Sequence, residues 1–263
     1  MEQAARDPLI ARFRAARSDD DLAILEGFHA LKHALRFGAE VEAVLSSDAA
    51  ELRRLSEDLA PDLEQRLREL TTEVSEDTYR ELGGYAHHTR VAAIARRPAF
   101  AAAQALDRRD APVVLLEDPR HLGNLGAVVR VAAAVDAAGV LTTGEQDPWD
   151  PVAIRGSGGL HFALPVGRVG RRDGGGFATG DSTQFDTGGR PLFAVDPDGT
   201  PIDPAALPAD AIYAFGSERH GLSAQLVSRA DARLRIPMRP GVSSLNLATS
   251  VSAVLFAWRL CGR

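Results

Sequence analysis

Almost no lysine and almost no cysteine occur in this chain. Lys32 is the only lysine, so nearly all of the positive charge is carried by arginine. Arginine forks match phosphate geometry and stack on bases, although codon bias in a GC-rich genome produces the same composition. Cys261 is the only cysteine, which excludes a disulfide framework and a thiolate zinc site. No apolar run approaches the roughly 18 residues that a membrane helix needs. The acidic, polar start Met1-Glu2-Gln3 does not read as a signal peptide. A soluble, cytoplasmic protein without membrane partners is expected. The G-x-G-x-x-G fingerprint is absent, since only Gly123-Asn124-Leu125-Gly126 follows the first buried strand, and no Gly-Lys-Ser/Thr occurs. A nucleotide-dependent oxidoreductase is thereby disfavoured.

What remains is ordinary globular material. The chain has 263 residues, 45% apolar and 25% charged, enough for one large or two modest domains with proper cores. A formal net charge of −6 argues mildly against a nucleic-acid binder, but the distribution of charge matters more than its total.

The first hundred residues read as a small α/β module. Residues 7–17 form an amphipathic helix with Arg6, Arg12, Arg14 and Arg17 on its polar side, either a solvated face or a basic arm for RNA phosphate. A helix over 28–37 ends at Gly38, and Ser75 caps another over 76–82. Short strands are expected over 41–45, 72–74 and 91–95, with helical segments over 49–59 and 61–70 between the first two. His29 and His33 share a helix face, but no third or fourth metal ligand stands nearby, so packing or surface histidines are expected there and at His87-His88. Domain limits are placed at 1–97 and 112–263, with 98–111 as linker.

The second module opens on Pro112–Leu116, an unbroken apolar run expected of a strand buried on both faces of a parallel sheet. Asn124 is expected to cap a helix running through Val135, in which Arg130 stands among valines, where its charge can reach out from the edge of an apolar face. A short helix over 153–157 and strands over 160–165, 192–195, 212–215 and 234–236 follow, and 170–190 is the most disorder-like stretch. The tail from Tyr213 to Trp258 delivers Gly216, Ser217, Glu218, Ser244 and Asn246 from two strand ends and a helix start.

Three blocks then stand together: Asp118-Pro-Arg-His-Leu-Gly-Asn124-Leu-Gly-Ala-Val-Val-Arg130, Phe215-Gly-Ser-Glu218-Arg-His-Gly221-Leu, and Ile236-Pro-Met238 through Ser244-Leu-Asn246. In this order and spacing they resemble the signature motifs of the SpoU/TrmH family, S-adenosylmethionine-dependent RNA ribose 2′-O-methyltransferases of the SPOUT class. Ser157 to Val166 resembles a further block of that family, and Glu26 to Gly38 followed by 41–45 resembles its ribosomal-protein-like substrate-binding domain.

The resemblance implies an α/β fold whose C-terminal parallel sheet has helices on both faces and a deep trefoil knot. It also implies a homodimer, with S-adenosylmethionine bound in the knot loops. By position, Gly216, Ile236 and Leu245 would cradle the adenosine part, with Val195, Ser217 and Met238 as neighbours. Arg130 matches the catalytic arginine, and Asn124, Glu218, Ser244 and Asn246 match the other polar positions. In relatives that arginine often serves the neighbouring subunit. Whether Arg130 acts as a base or as a stabiliser of phosphate and alkoxide stays open, though guanidinium is essentially always protonated. The implied substrate is 23S ribosomal RNA, as housekeeping or antibiotic resistance. A transfer-RNA target and a non-catalytic RNA-binding protein are the rivals. No metal is implied. Asp136, the Gly-rich 170–190 and residues 87–90 depart from the family pattern.

Overall fold

The computed structural model describes residues 2–82, 88–169 and 185–261. In chain order these form α1 (Glu2–Ala16), β1 (Leu22–Glu26), α2 (Phe28–Arg36), β2 (Val41–Ser46), α3 (Ala49–Leu59), α4 (Glu64–Leu70), β3 (Thr71–Glu73), α5 (Glu76–Glu81) and β4 (Val91–Arg96). There follow α6 (Ala102–Leu106), β5 (Val113–Leu116), α7 (Leu122–Ala134), β6 (Gly139–Thr142), α8 (Pro151–Ser157) and β7 (Val166–Arg168). The last are β8 (Leu192–Pro201), β9 (Ile212–Phe215), α9 (Ala224–Arg229), β10 (Ala232–Arg235) and α10 (Leu247–Cys261). Contacts divide the chain into one unit of residues 1–99 with 149–162, and a second of 100–148 with 163–263. None of the described helices is long and apolar enough to cross a membrane.

The first unit carries a four-stranded sheet of order β1-β4-β2-β3. β4 runs antiparallel to both β1 and β2, and β3 runs parallel to β2. Leu22, Leu25, Phe28, Leu31, Leu45 and Ile94 fill its core. Helix α2 ends as expected: Gly38 takes φ +76°, its N–H reaches Leu35 O at 3.2 Å, and Ala39 N–H reaches Ala34 O at 2.9 Å. These are the two bonds of a Schellman ending, which needs the left-handed residue that glycine supplies most cheaply. The basic-arm reading of α1 does not survive for Arg12 and Arg17. Arg12 Nη2 bonds Glu42 Oε2 at 3.0 Å and Arg17 Nη2 donates to Leu82 O at 3.1 Å, so both fasten α1 to its own unit. The side chain of Arg6 and all of His87 lie outside the described residues, as does 170–184. His33 Nδ1 lies 2.7 Å from Gly158 O, a structural contact within the unit.

One strand expectation fails. Residues 160–163 form a turn of 3-10 helix, and the strand begins only at Val166. Gly158 and Gly159, at φ +65° and +81°, turn the chain sharply. His161 is then buried with its Nδ1 2.8 Å from Ser157 Oγ, in ring contact with Trp149. An apolar run cannot by itself separate this arrangement from a strand.

The second unit carries six strands, all parallel, in the order β10-β8-β9-β5-β6-β7. Val113 to Leu116, Val140, Leu141 and Ile212 to Phe215 are buried throughout, which is why these strands read as continuous apolar runs. β8 pairs with β10 in two pieces: Arg233 opposes Ala194 and Leu234 opposes Thr200, so residues 195–199 are passed over by β10, while Val195 stays in register with Phe215 of β9. The turn-forming residues Asp196-Pro197-Asp198-Gly199 therefore make an excursion within one strand. Asp136 has a structural reason for departing from its apolar counterparts. It takes the left-handed position that ends α7, at φ +59°, and its carboxylate grips the Arg108 guanidinium with bonds of 2.8 and 2.7 Å.

Arg190, at the end of the Gly-rich stretch, is only 3% exposed. It donates to the carbonyls of Leu106 at 2.9 Å, Ala111 at 3.0 Å and Ala105 at 3.0 Å, and also to Arg108 O. It thereby closes the C-terminal end of α6. Arg190→Ala leaves several buried acceptors unsatisfied, each costing ~1–3 kcal/mol. We expect unfolding in urea to show a loss of about 3 kcal/mol, with Arg190→Lys recovering less than half because one ammonium cannot span the fork.

Candidate active site

The carboxyl end of β9, the residues after β10 and the middle of β8 meet the start of α7 and the start of α10. In open parallel sheets this is where ligands bind. A cleft of about 650 Å³ opens there, within the size range of small-molecule sites.

One end of the cleft is polar and its side chains are bonded in series. Asn124 Nδ2 donates to Glu218 Oε1 at 2.8 Å, and Asn246 Nδ2 donates to Asn124 Oδ1 at 3.0 Å. Asn246 Oδ1 accepts the N–H of Ala248 at 2.9 Å, so the same side chain caps α10. Asn124 is not the helix cap expected from the sequence. α7 begins at Leu122 with His121 at its N-cap, which places Asn124 in the first turn with its amide free to reach across to Glu218.

Glu218 accepts a second bond from Arg120 N–H at 3.1 Å. Burial works to raise its pKa, but the bonds from Asn124, its own backbone and Arg120, with the charge of His121, outweigh it and hold it below the ordinary glutamate range. A depressed carboxylate stabilises the fold above its unfolded pKa, and that contribution is lost as pH falls through the folded value. Glu218→Gln is therefore expected to flatten the acid-side decline of stability below the ordinary glutamate range. Urea unfolding at a series of pH values measures this, and an unchanged decline would count against it.

The other end is walled by backbone and apolar groups. Val195, Gly216, Ser217, Ile236, Met238 and Leu245 all line the cleft, and Ser244 stands beside Leu245 at its rim. Gly216 sits under a small closed loop in which Ser217 N–H donates to Gly221 O at 3.1 Å and Gly221 N–H to Ser217 O at 3.0 Å. A Cβ on Gly216 would overlap the backbone of Gly221 and Leu222.

Arg130 is the one sequence-nominated residue that the structure keeps apart. It is exposed on α7 and does not line the cleft. About 1.7 turns of helix separate it from Asn124, so the two point about 120° apart around the axis.

Several contributors leave little mark in the sequence. Glu117, buried at the end of β5, accepts Ser223 N–H at 2.7 Å and Ser223 Oγ–H at 2.6 Å, tying the 216–222 loop to the sheet. His121 and Asp196 also line the cleft.

A family model described as the SpoU rRNA Methylase family matches residues 111–256. The chain is 27% identical over 259 residues to a 23S rRNA (adenosine(1067)-2′-O)-methyltransferase of Streptomyces laurentii, covering 95% of this chain and 91% of that one. It is 34% identical over 152 residues to a tRNA (cytidine(34)-2′-O)-methyltransferase of Burkholderia ambifaria, covering 57% of this chain and 95% of that one. In fold it is similar to the SpoU methyltransferase AviRb from Streptomyces viridochromogenes, crystallised with AdoMet, at a TM-score of 0.73 and 23% identity over 95% and 96% of the two chains.

Proposed function

We propose, from the fact that this chain belongs to the SpoU rRNA Methylase family, that it methylates a ribose 2′-hydroxyl of 23S ribosomal RNA with S-adenosylmethionine as donor. The observation that carries this reading is the bonded series Glu218–Asn124–Asn246 at the mouth of a backbone-walled cleft. Likeness to a 23S enzyme over nearly the whole chain favours ribosomal RNA, whereas the transfer-RNA relative matches only part of it.

The residues present fit the donor. Val195, Ile236, Met238 and Leu245 offer apolar faces to an adenosine, and the adjoining backbone offers N–H and C=O groups to its edge. When bound, S-adenosylmethionine supplies an electrophilic sulfonium methyl. Asn124 and Asn246 hold Glu218 and the ribose in one geometry, a positioning role. Ser244 orients the sugar from the rim. Arg130 grips the phosphate next to the target and stabilises the alkoxide as it develops.

Because Arg130 stands away from its own cleft, we assign it to the cleft of a second copy, so the working unit is a homodimer. Residues 1–97 are assigned to RNA recognition, 98–111 to the connection and 112–263 to methyl transfer. The knot implied by the family lies in the loops after β9 and β10. The protein is placed in the cytoplasm.

The test incubates the chain with labelled donor and separate pools of ribosomal and transfer RNA, followed by alkaline hydrolysis, which a 2′-O-methyl group blocks at that nucleotide. Alkali-resistant label in 23S RNA is expected. Label only in transfer RNA assigns that substrate instead, and label only on bases rejects ribose methylation.

A further inference from the structure

A hydroxyl that takes a methyl group must lose its proton, and none of the roles assigned above accepts one. Guanidinium stays protonated. Among the described residues lining the cleft, three side chains can act as proton acceptors: His121, Asp196 and Glu218. Asp196 Oδ1 is already bonded by Arg233 Nη2 at 2.6 Å. Glu218 uses its two oxygens on Asn124 and Arg120, and those bonds make it a weaker base than a free carboxylate.

From this geometry we propose that His121 is the general base that takes the proton from the ribose 2′-hydroxyl. The inference rests on the reading of the cleft as a ribose methyltransferase site. His121 occupies the N-cap of α7, its carbonyl accepting Leu125 N–H at 3.0 Å. Its side chain and that of Asn124, three residues on, line the same cleft. Glu218 is bonded on either side of it in sequence, by the backbone of Arg120 and the side chain of Asn124, so the imidazole stands beside that carboxylate. The charged groups around it are Glu218 and Asp196, with Arg120 and Arg219 flanking; Arg120 is itself paired with Asp118 at 2.6 Å.

The step balances without another reactant. An imidazole nitrogen takes the hydroxyl proton as the ribose oxygen bonds to the methyl carbon, and the carbon–sulfur electron pair returns to sulfur. The positive charge thus moves from sulfonium to imidazolium, next to the Glu218 carboxylate. Being exposed, His121 then releases the proton to water.

The experiment measures single-turnover methyl transfer across about pH 5 to 8, the window in which imidazole changes charge, for the full chain, His121→Ala and His220→Ala. His220 lies on the same loop as Glu218 but does not line the cleft. The wild-type rate is expected to fall toward acid. His121→Ala is expected to be slower by about 10²–10³-fold, to lose the acid-side fall, to bind the donor normally by calorimetry and to recover partly with added imidazole. His220→Ala should follow the wild type. A His121→Ala rate within about threefold of wild type, an unchanged acid-side fall, or a loss of donor binding equal to the loss of rate overturns the assignment. If the wild type methylates ribose and His121→Ala is unimpaired, only the base assignment falls. If the wild type methylates no ribose, both fall together.

Discussion

Arg130→Ala is expected to reduce methyl transfer by about 10²–10³-fold, the usual cost of removing one preorganised donor to developing charge, while S-adenosylmethionine binding stays within about twofold of wild type. The separation follows from position, since Arg130 is exposed on α7 and contributes nothing to the walls of its own cleft. Arg130→Lys distinguishes charge from geometry. Substantial activity in the lysine variant assigns the effect to positive charge, and a dead one assigns it to the planar fork. Mixing Arg130→Ala with Glu218→Ala chains tests the shared site, because a heterodimer then holds one complete set of groups. Activity restored in the mixture supports the assignment to a second copy. Two inactive variants that stay inactive together place Arg130 in the cleft of its own chain.

Gly216→Ala is the second large effect. The new methyl group would meet backbone, not a flexible side-chain end, at Gly221 and Leu222. Relief requires opening the paired bonds between Ser217 and Gly221, the loop that carries Glu218. Overpacking costs ~1–3 kcal/mol, and the upper part of that range spent on loop geometry weakens donor binding about 100-fold. Calorimetric titration with S-adenosylmethionine measures it, with circular dichroism to show that the sheet persists. Near-normal affinity in this variant means that the loop does not shape the donor site.

The second unit was legible where physics leaves a simple mark. Strands buried on both faces read as apolar runs, so Val113–Leu116 and Ile212–Phe215 stand as expected. Gly38 and Ser75 mark helix ends because left-handed backbone and a free N–H each demand a particular residue type. The cleft residues of the tail were found through the spacing of three blocks, and they do converge. What escaped depended on partners distant in sequence. Asn124 looks like a cap until Glu218, 94 residues away, claims its amide. Arg190 looks like part of a Gly-rich tract until the carbonyls around α6 surround it. Glu117 looks like a strand terminator until Ser223 arrives. Leu160 to Pro165 reads as a strand until the left-handed glycines before it turn the chain into a 3-10 turn that buries His161.

The excursion at 195–199 has an evolutionary side. Its two ends are pinned to consecutive residues of one strand, Arg233 and Leu234, and Val195, Asp196 and Pro197 within it form a wall of the cleft. Lengthening a loop whose ends are already held together costs only ~0.6 kcal/mol per doubling. Insertions at this point can therefore remodel the pocket wall without moving a strand. It is the position at which descendants of this sequence could most cheaply acquire a new ligand preference while their sheet stays the same.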